Sequence, residues 1–285
     1  MGDVLAGFHA AWEFESDSVL IRYERGIRTP KLFQALGERR IPLAALAGVT
    51  LTPGRRGTVV LRAEPRPGAD PLMEAADGQL KEGSDPYRLV LPAERATLAE
   101  YYADELRDRL TGTGPADRHL VAAPEPPLRF KAYDGKASFD GTAVRFRWSW
   151  TGASSEKWKA GDQSFPVGDL GGVEWRSPEV FEGHLRLLPR EAGTASGAAA
   201  PPDQDPAAVV FGLGYGPVHE SLPFAAAVLA AVRAAAPAPV AAVAAARRDP
   251  ADIAERIRHL GELHRAGLVT DDEFSVKKAE LLAEL

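Results

Sequence analysis

The chain repeats one sequence pattern at a distance of 124 residues, and this duplication limits the folds open to it. Residues 41–49 are IPLAALAGV, and residues 165–173 are FPVGDLGGV. At the same spacing Leu61 is matched by Leu185. A period above about 100 residues is too long for a solenoid unit, so the copies are expected to be two whole domains of one fold. Because they share few polar residues, we expect a duplicated scaffold rather than a duplicated active site.

The composition fits two domains and a short additional segment. A chain of 285 residues has room for two domains of about 110 residues each. The net charge of −6 argues against a general nucleic-acid coat protein. The absence of cysteine excludes disulfides, thiolate metal sites and a cysteine nucleophile. No signal peptide and no run of about 18 apolar residues is visible, so we expect a cytoplasmic protein without a spanning helix.

Each copy contains alternating patterns typical of strands. The predicted inward positions are Val19, Ile21 and Tyr23 in the first copy and Val144, Phe146 and Trp148 in the second. Two further apolar runs, at residues 48–51 and 58–61, are joined by Pro53–Gly57, which predicts a turn. Later strands are predicted near residues 87–91 and 209–211. These patterns predict short antiparallel strands.

A helix is predicted at the end of each copy. In the first copy it opens near Pro92, and its apolar face is predicted at Leu98, Tyr102 and Leu106. In the second copy Pro223 is expected to open the helix. Short strands followed by one amphipathic helix predict a small barrel or sandwich whose open end the helix covers.

The connections can be assigned from composition. The copies are predicted to span residues 3–111 and 128–235, with a linker rich in Gly and Pro at 112–127. Residues 191–206 (EAGTASGAAAPPDQDP) predict a flexible loop inside the second copy. The Ala- and Pro-rich residues 236–249 predict an extended, semi-rigid tether before the last element.

Residues 250–285 predict a separate helical hairpin. Gly267 is placed to end the first helix, and Thr270 and Glu273 form a capping box that opens the second. Chains below about 40 residues rarely fold alone, so the hairpin should pair with a second copy or dock on a partner. The alternative is a hairpin folded onto its own second domain. The contact residues are predicted to be Ile257, Leu260, Leu263, Phe274, Leu281 and Leu282.

This hairpin resembles the short C-terminal domain known as SHOCT. The resemblance covers nearly the whole segment and is carried by Ile257, Leu260, Leu263, Gly267-Leu268-Val269-Thr270, Glu273-Phe274, Lys277-Lys278 and Leu281-Leu282. It implies a segment that mediates oligomerisation or attachment to partners.

The whole chain resembles an uncharacterised bacterial family of paired pleckstrin-homology-like (PH-like) domains that ends in SHOCT. The first copy carries the closer match, through residues 25–31 (RGIRTPK), 41–43 (IPL) and 48–50 (GVT). The second copy keeps 165–166 (FP) and 170–173 (LGGV). The resemblance implies an α+β, mainly β fold of two antiparallel barrels, each closed by a C-terminal helix. It also implies the absence of enzymatic chemistry, and it supplies no ligand.

The first copy carries the clearest charge feature. Between Leu20 and Arg62, nine basic residues are opposed only by Glu24 and Glu38. Basic side chains at strand ends and turns can hold a phosphate, an anionic headgroup or an acidic protein segment. The alternative is a solvated face that acidic residues balance elsewhere. The anion-binding candidates are Arg22, Arg25, Arg28, Lys31, Arg55 and Arg56, and the last two are expected to be the best exposed.

No arrangement of residues predicts catalysis, a metal site or a cofactor. The six histidines lack metal-ligand spacing, and no nucleophile elbow, P-loop or paired-carboxylate motif is present. Gly212–Gly216 lacks the third glycine of a dinucleotide loop, and no clear helix is predicted after it. The second copy has four tryptophans that we expect mainly in the core, with an aromatic binding wall as the alternative: Trp148, Trp150, Trp158 and Trp175.

The sequence therefore predicts a cytoplasmic, non-catalytic interaction or scaffold protein. We expect a homo-oligomer, or a protein docked on a protein partner, held through the C-terminal hairpin. The alternative is a peripheral protein that binds an anionic membrane surface, or a phosphorylated or acidic ligand, through the basic face of the first copy. Nucleic acid is not an expected partner, because no recognition motif accompanies the charge.

Overall fold

Each of the two sequence copies folds into a similar succession of elements, and we call them repeat 1 and repeat 2. The computed structural model describes residues 3–190 and 200–236. The elements of repeat 1 are β1 (Asp3–Ala6), β2 (Ala10–Phe14), β3 (Ser18–Tyr23), α1 (Lys31–Leu36), β4 (Glu38–Pro42), β5 (Leu46–Pro53), β6 (Thr58–Pro65), α2 (Pro71–Ala76), β7 (Arg88–Pro92) and α3 (Ala96–Arg109).

Repeat 2 follows the same order except that α2 has no counterpart among the described residues. Its elements are β8 (Leu128–Lys131), β9 (Gly135–Phe139), β10 (Ala143–Trp148), α4 (Ser155–Ala160), β11 (Gln163–Pro166), β12 (Leu170–Arg176), β13 (His184–Pro189), β14 (Ala208–Val210) and α5 (Val218–Ala235). In each repeat the first four strands form one antiparallel sheet and the next three form another. The fold is thus mainly β with several helices, as predicted.

The strand patterns predicted from alternation are confirmed. In β10 the side chains of Val144, Phe146 and Trp148 are buried, while Arg145 and Arg147 point to solvent. The predicted turn after Pro53 joins β5 to β6. Alternation predicted these strands because one face of a sheet covers a core and the other faces solvent.

The expected closed barrels are replaced by two open sheets in each repeat. Among the described residues no sheet closes on itself. The sheets of repeat 1 are joined at one corner, where the Phe8 amide donates to the Val90 carbonyl oxygen at 2.7 Å. Repeat 2 has the same bond from Tyr133 to Val210 at 3.0 Å. A single backbone bond at that corner is too little pairing to make one continuous ladder.

The two terminal helices depart from prediction in different ways. A 3₁₀ turn at Ala93–Arg95 follows Pro92 and leads into α3, so the helix opens near Pro92 as predicted; Tyr102 and Leu106 are buried as predicted, but Leu98 is exposed. Helix α5 begins at Val218, so Pro223 lies inside it rather than at its start. A proline there removes one intrahelical hydrogen bond, which the extensive burial of this helix compensates.

Helix α5 packs as a core helix. Its 18 residues are long and apolar enough to cross a membrane by length and composition alone. Half of the helix is buried inside the protein, including Leu222, Phe224 and Val228, which are fully enclosed. A buried helix of a globular domain passes the same test, so the finding does not indicate a span.

The two repeats are fused through a shared core. Leu32 of α1 and Leu72 and Ala75 of α2 belong to repeat 1 but are buried in the same cluster as Phe224 and Trp175 of repeat 2. Helices α1 and α2 therefore serve as the interface, while the core of repeat 1 proper is a separate cluster built around residues such as Trp12. Because apolar area is buried on both sides, the described residues form one compact unit.

Polar contacts complete this interface. The Gln79 side chain donates to the Trp175 carbonyl oxygen at 3.0 Å and accepts from the Ser177 amide at 2.9 Å. Glu74 forms an ion pair with Arg233 at 3.0 Å. These bonds satisfy groups that the packing of the repeats would otherwise leave without partners.

The predicted connections are more ordered than composition suggested wherever they are described. Residues 112–127 contain no helix or strand, yet the Leu120 and Val121 amides both donate to the Ala69 carbonyl oxygen. In the loop of repeat 2, Asp205 pairs with Arg186 at 3.0 Å. Residues 191–199 of that loop, the tether from 237 onward and the hairpin lie outside the described residues.

Candidate functional site

The basic residues of repeat 1 fall into two groups. Several of them are neutralised: Arg22 pairs with Glu13 and Glu38, Arg39 with Asp70, Arg40 with Glu15, and Arg62 with Asp85. The candidate Arg22 is therefore already engaged. The predicted continuous basic face is smaller than the sequence count indicated, because the fold brings carboxylates from neighbouring strands and from loops next to these arginines.

The remaining candidates lie exposed on two separate loops. Arg25, Arg28 and Lys31 belong to the connection between β3 and α1 and to its first helical residue. Arg55 and Arg56 lie at the turn between β5 and β6, as predicted. None of the five forms an ion pair with any carboxylate in the part of the chain that the structure describes. These cations are free to meet an external anion.

A groove lies between the two repeats beside the first of these loops. It has a volume of about 550 Å³ and is lined by Lys31 and Leu32 from repeat 1, by residues 178–183, and by residues 211–219 from repeat 2. We call it the inter-repeat groove. A second groove, which we call the adjacent groove, is lined by Ile27 and Thr29 and shares Lys31 and His219 with the first. The two grooves therefore meet at one place.

Three large apolar side chains stand at the edges of these grooves. Phe181 exposes 83% of its surface, and Ile27 and Leu213 are fully exposed. We call Ile27, Phe181 and Leu213 the loop-tip residues. Single exposed apolar residues are common, but three around one pair of grooves make this the candidate interaction surface of the described residues.

His219 is the ionisable group on which the grooves converge. Its partial burial lowers its pKa; the Glu220 carboxylate opposes this shift, and the Lys31 cation adds to it. The neutral imidazole is therefore favoured. Its Nε2 lies 3.8 Å from a Glu220 carboxylate oxygen.

The tryptophans of repeat 2 divide into two pairs. Trp148 and Trp175 are buried, which confirms the expectation of core packing for them. Trp150 and Trp158 are exposed by 82% and 49%, and their rings meet edge to face at 5.2 Å. A four-membered aromatic wall therefore does not form, but an exposed aromatic pair does.

Two buried ion pairs escaped the sequence analysis. Arg39 of β4 forms a bidentate pair with Asp70 at 2.8 and 2.9 Å, and Lys157 of α4 meets Asp134 at 2.5 Å. Arg39 could have been noticed, since it lies two residues before the buried Ile41 in the same strand and so faces the interior. Lys157 gave no such signal, because its helix has fewer than two turns of pattern.

Three members of these two pairs, Arg39, Asp134 and Lys157, have shifted pKa values. Burial tends to lower the pKa of Arg39, but attraction and hydrogen bonding by Asp70, together with the nearby Tyr87 and Tyr23, outweigh this and raise it, so the guanidinium stays charged. Burial raises the pKa of Asp134 and lowers that of Lys157, and in both cases the charged partner opposes the shift. Both pairs hold structural elements together and line neither groove.

The predicted assembly residues lie outside the described residues. Ile257, Leu260, Leu263, Phe274 and Leu281, together with Leu282, remain a prediction from sequence. Among the residues described, histidine and carboxylate side chains form no group that could hold a metal ion.

Comparison with known proteins identifies the family. The model of DUF4429, a domain of unknown function, matches the chain at residues 12–107 and again at 137–229. Because the two matches cover more than half of the chain, it belongs to the DUF4429 family. No curated protein matches the chain. The two matched segments confirm the tandem organisation, whereas the PH-like and SHOCT resemblances remain interpretations.

Proposed function

We propose that this protein is a non-catalytic interaction or scaffold protein of the cytoplasm. Its fused repeats present surfaces to a protein partner, and residues 250–285 assemble the chain into a homo-oligomer or dock it. The observation that carries this proposal is the group of loop-tip residues around the grooves, since proteins expose large apolar side chains together where they bind something.

The PH-like and SHOCT parts of the proposal are supported in different ways. In each repeat a four-stranded sheet, a three-stranded sheet and a helix follow one another, which supports a PH-like arrangement. The SHOCT-like hairpin has its support in sequence alone, from the capping box at Thr270 and Glu273 and the apolar positions of both helices.

The assembly part is tested by light scattering. We expect the full chain to have the mass of a defined oligomer and a chain ending at Arg248 to be a monomer. Leu260→Asp with Phe274→Asp should also give a monomer if these residues form the contact. An unchanged mass in the double variant would overturn assembly through the hairpin. Leu98→Ser, on the exposed side of α3, is the control that should change nothing.

A second candidate function is supported by the free cations of repeat 1. We propose as this second function that the protein is peripheral to a membrane or binds a phosphorylated or acidic ligand. Arg25, Arg28, Lys31, Arg55 and Arg56 carry it, since no carboxylate neutralises them within the described residues.

Vesicle sedimentation tests this second function. Replacing Arg25, Arg28, Arg55 and Arg56, four of the free cations, by glutamine should abolish binding to phosphatidylglycerol vesicles, and added salt should weaken binding by the intact chain steeply. Binding that persists in the fourfold variant would contradict the basic face as the cause. Arg109→Gln, in a surface pair on α3, should leave binding unchanged.

A further inference from the structure

We propose that the three loop tips around Lys31 form a membrane-insertion surface that enters the interface of an anionic bilayer. This inference rests on the second proposed function and names the surface that it would use. It assigns the apolar contact to Ile27, Phe181 and Leu213, which come from both repeats. It assigns the electrostatic contact to cations beside them rather than to the turn at Arg55 and Arg56.

The first step is the common location of the tips. Ile27 borders the adjacent groove, and Phe181 and Leu213 border the inter-repeat groove. Both grooves contain Lys31 and His219, so the three tips surround one centre. A flat surface such as a bilayer can reach several such tips at once, whereas three isolated tips on different sides could not insert together.

The second step is the degree of exposure. Ile27 and Leu213 make almost no contact with their own protein, and Phe181 makes little. Side chains that protrude in this way do not form the wall of a ready-made pocket for a small ligand. Apolar side chains on irregular loops do gain free energy when they enter the boundary between headgroups and acyl chains.

The third step is the charge beside the tips. Arg25 and Arg28 flank Ile27 in sequence, and Lys31 follows. Lys131 lies over the ring of Tyr215, in the loop that carries Leu213. The nearby carboxylates are Glu24, Glu182 and Glu220, while Glu179 is occupied by Lys81 at 3.0 Å. The free cations therefore outnumber the free carboxylates, and the two fully exposed tips are those with cations beside them.

The fourth step is rigidity. The shared core fixes repeat 1 against repeat 2, and Gln79 holds the strand that leads into the Phe181 loop through Trp175 and Ser177. The three tips are thus kept in one arrangement before any membrane is met. Such preorganisation lowers the entropic cost of inserting them together.

The main experiment is sedimentation of the full chain with vesicles of phosphatidylcholine, with and without phosphatidylglycerol. We expect binding only with phosphatidylglycerol. Ile27→Ser with Leu213→Ser should weaken it at least about tenfold, because each side chain loses most of its apolar burial. The matched control is Leu98→Ser with Tyr101→Ser, two exposed apolar residues of α3 outside both grooves. An effect of the control equal to that of the tips would overturn the inference.

The charge assignment is tested in the same assay. Arg25→Gln with Arg28→Gln should weaken binding about 25-fold, at about fivefold for each cation close to an anionic surface. Arg55→Gln with Arg56→Gln, an equally exposed pair, should weaken it by less than about fivefold. A larger effect of the Arg55 and Arg56 pair than of the Arg25 and Arg28 pair would overturn the inference. The second proposed function would then stand, with the turn between β5 and β6 as the binding loop.

Insertion itself can be observed directly because the chain has no cysteine. Leu213→Cys carrying an environment-sensitive fluorophore should shift its emission to the blue on phosphatidylglycerol vesicles, and Leu98→Cys with the same label should not. Binding without this shift would overturn insertion while supporting simple electrostatic attachment. No vesicle binding by the intact chain would overturn both the inference and the membrane form of the second proposed function, and it would favour a protein as the occupant of this surface.

Discussion

Repeat 1 and repeat 2 differ in the contact that the last residue of the third strand makes with the helix after it. In repeat 1 Tyr23, the last residue of β3, stacks on Phe33, the third residue of α1, with ring centroids 4.7 Å apart. In repeat 2 Trp148, the last residue of β10, is covered by Lys157, the third residue of α4, whose Nζ lies 5.0 Å from the ring centroid. One repeat has an aromatic stack and the other a buried cation–π contact.

The buried cation of repeat 2 has two oxygen partners in addition to the aromatic ring. Lys157 is fully buried, and its Nζ lies 2.5 Å from an Asp134 oxygen and 2.6 Å from the Pro202 carbonyl oxygen. Repeat 1 has its buried cation elsewhere, at Arg39, where Asp70 both pairs with it and caps α2 by accepting from the Leu72 amide. Each pair thus holds in place the segment in which the repeats differ most, which is α2 in repeat 1 and the loop containing Pro202 in repeat 2.

The surface loops that follow β3 and β10 also differ between the repeats. The loop after β3 exposes Arg25, Ile27 and Arg28, whereas the loop after β10 exposes Trp150 beside Trp158 of α4. The scaffold is shared, but the side chains exposed on these loops are not. Duplication here has given two different surfaces on one rigid unit rather than two copies of a site.

The largest effect is expected from Asp70→Ala. It would leave the Arg39 guanidinium buried without its carboxylate and remove the cap of α2, so the free energy of unfolding should fall by about 3–5 kcal/mol. Urea unfolding of the full chain measures this. Asp104→Ala, which removes only an exposed pair with Arg107, should cost less than about 1 kcal/mol and is the control. Equal effects would mean that the buried pair is not a structural fastener.

A smaller loss is expected from Asp134→Ala, about 3 kcal/mol. Lysine can release its proton when it loses its partner and arginine cannot, so the repeat 2 pair should be the more tolerant. Lys157→Met with Asp134→Asn removes both charges and should recover most of the loss. The comparison between the repeats would be wrong if Asp134→Ala proved more damaging than Asp70→Ala.

The sequence predicted the parts of the fold that depend on local pattern. Alternation located the strand ending at Trp148, and the turn after Pro53 followed from glycine and proline. The start of α5 was missed because Pro223 is a common first-turn residue and burial, not propensity, keeps it inside this helix. In a long segment the period of the apolar residues indicates the secondary structure, whereas a short helix such as α4 has too few residues to show a period.

The candidate surface was only partly predictable, because it is assembled from distant segments. Arg25, Arg28 and Lys31 were identified from a run of charge, but Arg22 turned out to pair with carboxylates of neighbouring strands. Phe181 and Leu213 gave no signal, since nothing in the sequence indicates that two loops of repeat 2 meet the first loop of repeat 1. The grooves exist because α1 and α2 pack on repeat 2, which is a property of tertiary structure.

An intermediate effect is expected at the interface that joins the repeats. Gln79→Ala removes two hydrogen bonds to repeat 2, and the free energy of unfolding should fall by about 1–2 kcal/mol. Hydrogen exchange should become faster at the Ser177 amide. Gln34→Ala, which removes bonds within repeat 1 only, is the control and should leave that amide unchanged. Unchanged exchange in Gln79→Ala would show that apolar packing alone joins the repeats.

The smallest effect concerns the pH dependence of the Glu74 contacts at the same interface. The contact with His119 at 2.9 Å, and then the Arg233 cation, lower the pKa of Glu74 below its ordinary 4.5, against the opposing effect of partial burial. A carboxyl with a pKa depressed by folding stabilises the protein above its unfolded pKa, and this stabilisation is lost as the pH falls through its folded pKa. Because Glu74 is more than one-third exposed, solvent screening should keep the contribution below about 1 kcal/mol.

Glu74→Gln should therefore destabilise the protein slightly near neutral pH and have less effect in acid. The measurement is the urea midpoint of the intact chain and of the variant at about pH 6 and about pH 3.5, below the ordinary carboxyl pKa. Glu100→Gln, on the exposed side of α3, is the matched control and should follow the intact chain at both pH values. If the difference between Glu74→Gln and the intact chain stayed constant as the pH fell, Glu74 would contribute by packing and not by its charge. The contacts of Glu74 with His119 and Arg233 would then stabilise the interface in the same way as its apolar contacts do, although their distances indicate charge-dependent bonds.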